Sequence, residues 1–220
     1  MTVTSTLAGP VPELAFTVLD AARVEYAAAP TLAFSVRIDC PGGHHVRSVL
    51  LDTQLQIGAR RRPYDDSEHE RLFELFGPPA AWGSTLRTLL WTRTSLAVPA
   101  FTDSTVVELP VPCSYDMEVL ASKYLDALAG GEVPLEFLFS GTVFYAGAGG
   151  RLQAARISWE GDAEYRMPVR VWRETLDHYF PGSAWLRLDK DSFDALCAYK
   201  ARHAIPTWEG VVQALLAQGR

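Results

Sequence analysis

The stretch STVVELPVPCSYDMEVLASKYLDALAGGEVPLEFLFSGTVFY, residues 104–145, decides the fold that the sequence predicts. Its last third carries the strongest strand pattern in the chain, because large apolar side chains recur there at alternate positions. Leu138 and Phe144 add apolar area on the opposite face. Apolar residues on both faces are typical of a central or covered strand. The more apolar face comprises Leu135, Phe137, Phe139, Val143 and Tyr145.

Two prolines mark the first part of the same stretch. Pro110 and Pro112 lie two residues apart, so their missing N–H groups fall on the same side of the strand. That side cannot donate to a β-ladder, which predicts an edge strand or the end of one. Further on, residues 115–120 predict a strand that runs into a helical turn. Residues 121–129 are rich in helix formers, and the pattern leaves helix and strand both open there.

Toward the N-terminus, the sequence alternates between apolar and other residues over 14–19, 32–38 and 49–57. The Pro-Gly-Gly sequence at 41–43 predicts a turn between the second and third of these segments. Three such strands in succession predict an antiparallel meander. Residues 86–98 alternate in the same way and predict a further strand.

Helix and turn signals follow these strands. Ser67 and Glu70 have the spacing of a capping box at the start of a helix, and Gly77 is a stop signal. The sequence therefore predicts one short helix from Ser67 to Gly77. The glycines of 147–150 predict a hairpin turn, with residues 151–159 as the return strand.

The last third of the chain predicts three helices. Pro168 suits the first position of one helix, which Pro181 ends. Residues 189–203 predict a second helix, whose inward face carries Phe193, Leu196 and Cys197. Thr207 is the predicted cap of a third helix, whose apolar residues are Val211, Val212, Leu215 and Leu216.

Together these elements predict an α+β fold: an antiparallel β-sandwich-like core with a short inserted helix and a helical C-terminal region. Residues 1–12 are predicted to form a loose lead-in. Residues 13–220 are predicted to form a single domain, β-rich over 13–160 and with a helical cap over 166–218.

Composition limits the classes of protein. The hydrophobic share of 48% and charged share of 21% are ordinary for a globular protein with its own core. A net charge of −6 disfavours general affinity for nucleic acid or anionic membrane. The sequence predicts neither a membrane span nor a signal peptide. The three cysteines are far apart and form no CxxC, which predicts reduced thiols in a cytoplasmic protein.

Motifs of common chemistries are missing from the sequence. It has no GxGxxG after a strand, no Walker A sequence, no HExxH and no GxSxG. We therefore predict no enzymatic activity, no catalytic residue and no cofactor. His44 and His45 are weak candidates for metal contacts, because adjacent residues of a strand point to opposite faces and rarely bind one ion. Cys113 falls on the apolar face of its strand, which predicts an inert buried thiol.

Arginine and tryptophan are the candidates for protein binding. Arg60, Arg61 and Arg62 form a positive cluster in an acidic chain, and arginine is enriched at interfaces. The chain has six tryptophans, which suit both cores and interfaces, and Trp91 is the candidate among them for an exposed patch. The proline-marked edge is the other expected working surface.

Several phrases together resemble an uncharacterised actinobacterial protein family: VPCSYDMEV (111–119), PLEFLFSGTVF (134–144), YRMPVRVW (165–172) and PGSAWLRL (181–188). The resemblance extends over roughly residues 14–216. It implies genes that lie beside those of actinobacterial-type NiFe hydrogenases, and hence an accessory role in assembling or serving a hydrogenase. Hydrogenase subunits or maturation factors are the partners that it implies. It assigns no catalytic or ligand residues.

Three hypotheses of function follow. The first is a non-enzymatic accessory or protein-interaction module. The second is a small-molecule-binding or enzymatic domain with a ligand in an aromatic-lined pocket between sheet and helices. The third is a chaperone-like holdase with a large exposed apolar groove.

Overall fold

A computed structural model describes residues 11–114, 119–158, 161–183 and 187–219 of the chain. Within these ranges seven strands form one sheet, and their pairings are antiparallel. The strands are β1 (Ala15–Arg23), β2 (Thr31–Ile57), β3 (Leu89–Val98), β4 (Phe101–Pro112), β5 (Glu132–Ala146), β6 (Leu152–Arg156) and β7 (Asp162–Pro168). The helices are α1 (Asp66–Phe76), α2 (Trp82–Thr85), α3 (Leu120–Ala127), α4 (Val169–Tyr179), α5 (Lys190–Arg202) and α6 (Trp208–Gln218).

The β5 strand lies inside the sheet. It pairs with β2 along one edge, and with β7 and then β6 along the other. The prediction of a central strand is confirmed, because the side chains of the predicted face are at most 4% exposed. Full burial of each large apolar side chain contributes about 1.5–3 kcal/mol. These buried side chains are Leu135, Phe137, Phe139, Val143 and Tyr145.

The 27-residue β2 strand contains both the second and the third predicted strand. The turn predicted at 41–43 is wrong, because the chain keeps its direction there. Gly42 and Gly43 have positive φ angles of 98° and 67° and lie in a bulge, where the pairing with β4 skips from Cys40 to His45. The glycines supply a backbone conformation that other residues rarely adopt, but the ladder resumes beyond them. The predicted meander is therefore replaced by one long bent strand.

The two halves of β2 belong to two layers. The first half pairs with β1 and β4, and the second half with β3 and β5. Aromatic rings from the two layers meet between them: Phe34 lies 5.1 Å from Phe137, and Phe16 stacks on Phe139 at 4.3 Å between centroids. The predicted α+β fold with an antiparallel sandwich-like core is confirmed.

Of the described strands, β4 pairs with β2 alone. Pro110 lies opposite Ala33 and Pro112 opposite Thr31, at the end of this ladder. The prediction of an edge strand marked by its prolines is confirmed.

The hairpin after β5 is also confirmed, since Ala146 pairs with Leu152 across the predicted glycine turn. The return strand ends at Arg156, and the predicted remainder includes Trp159, which lies outside the described residues.

The β7 strand is missing from the sequence prediction, which placed the start of a helical region at residue 166. Its alternation was readable: Ala163 and Met167 are buried and Tyr165 is half-buried. The helical region begins instead at Val169, with Pro168 as the N-cap rather than the first helical residue. A strand of seven residues with four charged or polar side chains gives a weak periodic signal, and pairing with β5 stabilises it.

The inserted helix α1 begins two residues earlier than predicted. Its capping box consists of Asp65 and Glu68, not Ser67 and Glu70. Ser67 lies inside the first turn and donates to Asp65. The predicted stop at Gly77, which has φ 71°, is confirmed.

The choice left open for residues 121–129 is settled as a helix, since α3 covers Leu120–Ala127. Most of the strand predicted at 115–120 lies outside the described residues.

Two compact units divide the chain, residues 1–183 and 184–220. The second unit contains α5, capped by Asp189, and α6, capped by Thr207 as predicted. Phe193 was predicted to point inward, but it is 43% exposed and lies against Trp208, with 5.4 Å between ring centroids. The single domain over 13–220 stays a prediction.

None of the helices in the described ranges has the length and apolar character needed to cross a membrane.

We predict that Gly141→Ala strongly destabilises the sheet. Gly141 has φ 133°, and a Cβ there would lie 2.0 Å from the Leu50 carbonyl oxygen, which the β2–β5 ladder holds in place. Strain and overpacking together should cost about 2–5 kcal/mol of unfolding free energy. The matched control is Gly43→Ala, where φ is 67° but no atom lies within 4 Å, and about 1 kcal/mol is expected. Urea denaturation measures both, and equal losses would contradict the close approach.

Candidate functional site

The three arginines predicted to bind a partner follow the end of β2. There they form hydrogen bonds and ion pairs with other residues of the same chain. Arg60 donates from Nε to the Leu86 carbonyl at 2.6 Å and from Nη2 to the Gly83 carbonyl at 2.8 Å. Its guanidinium therefore joins α2 and the residue that follows it to the end of β2. Two of its nitrogens already have partners, although the residue is exposed.

Arg61 bridges two strands on the outer face of the second layer. It contacts Glu136 of β5 at 2.9 Å and Glu164 of β7 at 2.8 Å. The hydrogen bond that Arg61 donates to Glu164, followed by the charges of both carboxylates, raises the pKa of Arg61 above its usual value. This bridge is solvent-exposed and contributes little to stability.

Arg62 forms a buried ion pair with Glu68, the second residue of the α1 capping box. The distance is 2.7 Å, and the two side chains are 7% and 3% exposed. Glu68 also accepts from the Ala129 N–H at 2.8 Å and from the Asp65 N–H at 3.1 Å. Arg62 donates to the Gly130 carbonyl at 3.2 Å as well. The pair thus joins the end of β2, the start of α1 and the segment between α3 and β5.

Two tyrosines lie next to this pair. The Tyr64 hydroxyl is 2.6 Å from the Ala59 carbonyl, to which it donates, and 2.8 Å from the Tyr124 hydroxyl. Burial, and for Tyr64 also the neighbouring Tyr124, raises the pKa of both phenols. Both therefore stay neutral at physiological pH, and neither can act as a general base.

An open cleft of about 540 Å³ lies beside these groups, and Arg62, Tyr64 and Glu68 contribute to its lining together with Gly130 and Gly131. The charge of Arg62 is balanced by Glu68. One guanidinium nitrogen of Arg62, Nη1, is buried without a hydrogen-bond partner among the described residues. The arrangement is suited to holding helices on the sheet, because its two opposite charges are paired.

The two histidine candidates lie at the β2 bulge. His44 is half-buried, and His45 is exposed with its Nδ1 3.1 Å from the Thr102 hydroxyl. Among the residues that the structure describes, no cluster of three or more His, Cys, Asp or Glu side chains could hold a metal ion.

Cys113 is buried, in agreement with its predicted place on the apolar face. Burial raises the pKa of its thiol to about 12, so the nucleophilic thiolate is not formed near neutral pH.

Trp91 is half-buried and contacts the aromatic core. Its ring lies 6.3 Å from Phe34 and 5.9 Å from Trp172, both in edge-to-face geometry. Only part of its surface faces solvent, and its role in partner binding stays a prediction. Trp159 and Trp185 lie outside the described residues.

A groove of about 980 Å³ lies on the outer face of the second layer, where β6 and β7 separate along β5. Asp52, Ser140, Arg156 and Asp162 contribute to its lining. Asp52 accepts from the Ser95 hydroxyl at 2.5 Å. The groove brings together charges of both signs, but no motif in the sequence marks these residues, since they come from four separate strands.

The α6 helix carries an exposed apolar stripe that the sequence prediction missed. Its members recur at positions i, i+4, i+7 and i+8, so they share one face of the helix. The spacing was readable in the sequence, but Val211, which is buried, had been grouped with them. Phe193 of α5 lies against the first member. The α6 stripe consists of Trp208 (44% exposed), Val212 (49%), Leu215 (37%) and Leu216 (61%).

Comparison with known proteins gives one family. The model of a family of unknown function, DUF6084, matches residues 11–220. No curated protein matches the chain.

Three solved structures are distantly similar. An ApaA protein from Bordetella pertussis is 12% identical at a TM-score of 0.26, over 71% of this chain and 93% of that one. A β-glucosidase from Kluyveromyces marxianus is 9% identical at 0.24, over 71% of this chain and 15% of that one. β-Glucosidase 3B from Thermotoga neapolitana is 14% identical at a TM-score of 0.25, over 70% of this chain and 17% of that one. TM-scores this low carry no argument about fold or function.

We predict that Arg62→Ala lowers the free energy of unfolding by about 3–5 kcal/mol, because it leaves the Glu68 carboxylate buried without its counter-ion. The matched control is Arg37→Ala. Arg37 pairs with Asp39 at 3.0 Å, but the two side chains are 47% and 36% exposed, so a loss below about 1 kcal/mol is expected. Chemical denaturation monitored by tryptophan fluorescence measures both. Similar losses for the two variants would show that the buried pair is not a structural tie.

Proposed function

The chain belongs to DUF6084, a family of unknown function, and from this premise we propose that it is a non-enzymatic accessory protein that acts by binding another protein. The observation that carries the proposal is the α6 stripe. Single exposed apolar residues are normal on protein surfaces, whereas a continuous row on one helix face is typical of a docking surface. Helices dock into grooves of their partners through apolar anchors at this spacing.

The polar groups of the first unit support a structural rather than a catalytic role. The most buried charges, Arg62 and Glu68, neutralise each other, and Glu68 also accepts two backbone N–H groups. The buried phenols of Tyr64 and Tyr124 and the thiol of Cys113 hold their protons near neutral pH, since burial raises each pKa. General acid–base catalysis is most efficient with a group that titrates near the working pH, and a cysteine nucleophile acts as its thiolate.

The partner that we propose is a subunit or maturation factor of a NiFe hydrogenase. The support is the resemblance of four sequence phrases to a family encoded beside such genes. The chain itself has no CxxC pair to ligate nickel and iron, so the partner would supply the metal chemistry.

The outer-face groove favours a second candidate, a small-molecule-binding domain. Its volume, about 980 Å³, is within the range of ligand sites, and Arg156 and Asp162 offer opposite charges. This groove differs from the aromatic-lined pocket that the sequence predicted, because it lies on the outer face of the sheet. The charges of the groove favour a polar ligand but do not identify it.

The proposed function is tested by affinity purification of the tagged full-length protein from its native host. We predict that hydrogenase subunits or maturation factors, identified by mass spectrometry, accompany the unchanged protein. Leu216→Asp places a charge in the α6 stripe and should reduce their recovery about tenfold or more. The matched control is Leu152→Asp, which changes an equally apolar residue, 68% exposed, at the start of β6. It should leave recovery unchanged.

Circular dichroism establishes that both variants are folded. Recovery of no hydrogenase component with the unchanged protein would overturn the partner assignment. Equal recovery with Leu216→Asp would overturn the α6 stripe as the docking surface.

A further inference from the structure

The outer edge of β4 carries backbone groups that no described strand pairs with. The Cys113 N–H donates to the Pro30 carbonyl at 2.8 Å, and the register is unbroken from Asp103 to Pro112. Backbone groups of an antiparallel strand alternate between its two edges. Odd-numbered residues of β4 therefore point their N–H and C=O groups toward β2, and even-numbered residues point theirs away from it.

This free edge is short because both of its ends are blocked. At one end Pro110 and Pro112 have no N–H to offer, and the Thr94 hydroxyl donates to the Pro110 carbonyl at 3.4 Å. At the other end the ladder breaks at the β2 bulge, where Asp103 has a positive φ of 64°. Between these ends lie three exposed residues with outward backbone groups, Ser104, Val106 and Glu108.

We propose that this edge pairs with the same edge of a second copy of the chain, antiparallel, with the two-fold axis at Val106. In that register Val106 faces its own counterpart, and Ser104 faces Glu108 of the other copy. Each outward N–H then meets an outward C=O, which gives about six ladder hydrogen bonds. The Ser104 hydroxyl faces the Glu108 carboxylate, one oxygen of which accepts from Ser35 of its own chain at 2.6 Å. A β-branched pair, 52% exposed in the single chain, lies on the axis.

Among the registers whose axis lies at one of these three residues, the edge favours the one at Val106. An axis at Glu108 would put two carboxylates opposite each other and would bring Pro110 opposite Val106, whose carbonyl would then have no donor. An axis at Ser104 would carry Glu108 past the start of the other β4 strand. Of the axes that lie at one of these three residues, the one at Val106 pairs the outward backbone groups of all three with one another.

Such a dimer is closed. A two-fold contact uses the same surface on both copies, and the prolines prevent the ladder from extending further. One strand pair buries less than the roughly 800 Å² per partner of a standard interface, so the dimer is expected to be weak and dependent on concentration. The inference does not rest on the α6 stripe or on any hydrogenase partner.

The test is sedimentation velocity of the purified full-length protein over a range from micromolar to about millimolar concentration. A reversible monomer–dimer equilibrium is expected. Val106→Pro should abolish the dimer, because it removes the outward N–H on the axis. It should spare the fold, because position 106 makes no ladder bond to β2 and prolines already occupy equivalent positions in β4.

Charge variants at the exposed Ser104 test the register with the axis at Val106. Ser104→Lys places a cation opposite Glu108 of the other copy at two symmetric places and should tighten the dimer about threefold to tenfold. Ser104→Asp places like charges there and should weaken it by a similar factor. Leu216→Asp, which changes the α6 stripe, should leave the equilibrium unchanged.

A chain that stays monomeric at every concentration, including as Ser104→Lys, would overturn the inference. A dimer that Val106→Pro and Ser104→Asp leave intact would also overturn it, by showing that another surface makes the contact.

Discussion

The backbone ladder of β2 is the constraint on which the rest of the structure depends. This 27-residue strand supplies hydrogen bonds to β1 and β4 in one layer and to β3 and β5 in the other. Because one strand serves both layers, Phe34 of its first half comes to lie near Phe137 of β5. Buried backbone groups must be paired, so the neighbouring strands follow the bend that β2 sets.

The helices of the first unit depend on a second interaction, the buried pair of Arg62 and Glu68. The same carboxylate closes the capping box of α1 and receives the N–H of Ala129, which follows α3. A charge in this position is tolerated because Arg62 and two N–H groups replace the water that it loses. Of the three arginines that the sequence indicated as a binding patch, Arg60 and Arg62 instead join segments of the chain to one another.

Two surfaces proposed for contacts with other chains are apolar or backbone surfaces rather than charged side chains. The α6 stripe exposes a row of apolar side chains, and the free edge of β4 exposes backbone donors and acceptors between two blocks. Pro110 and Pro112 have no N–H groups for an added strand, so they limit the length of β4 that can pair. Natural sheets use prolines at edges in this way to avoid open-ended association. Both surfaces fit a protein that acts through other chains, and neither requires a reactive group.

Sequence alone determined the elements whose signals are local. The covered face of β5, the proline-marked edge of β4, the glycine end of α1 and the Thr207 cap depend on the chemistry of a few neighbouring residues. Tertiary structure decided whether 41–43 was a turn or a bulge, because a glycine pair permits both and the ladder with β4 selects one. It also decided the fates of Arg60, Arg61 and Arg62, whose partners lie on segments distant in the sequence, and it formed β7, a weakly patterned strand that pairing with β5 stabilises. A local pattern can report which groups a residue offers, but the group that meets it across the fold depends on how distant segments pair and pack.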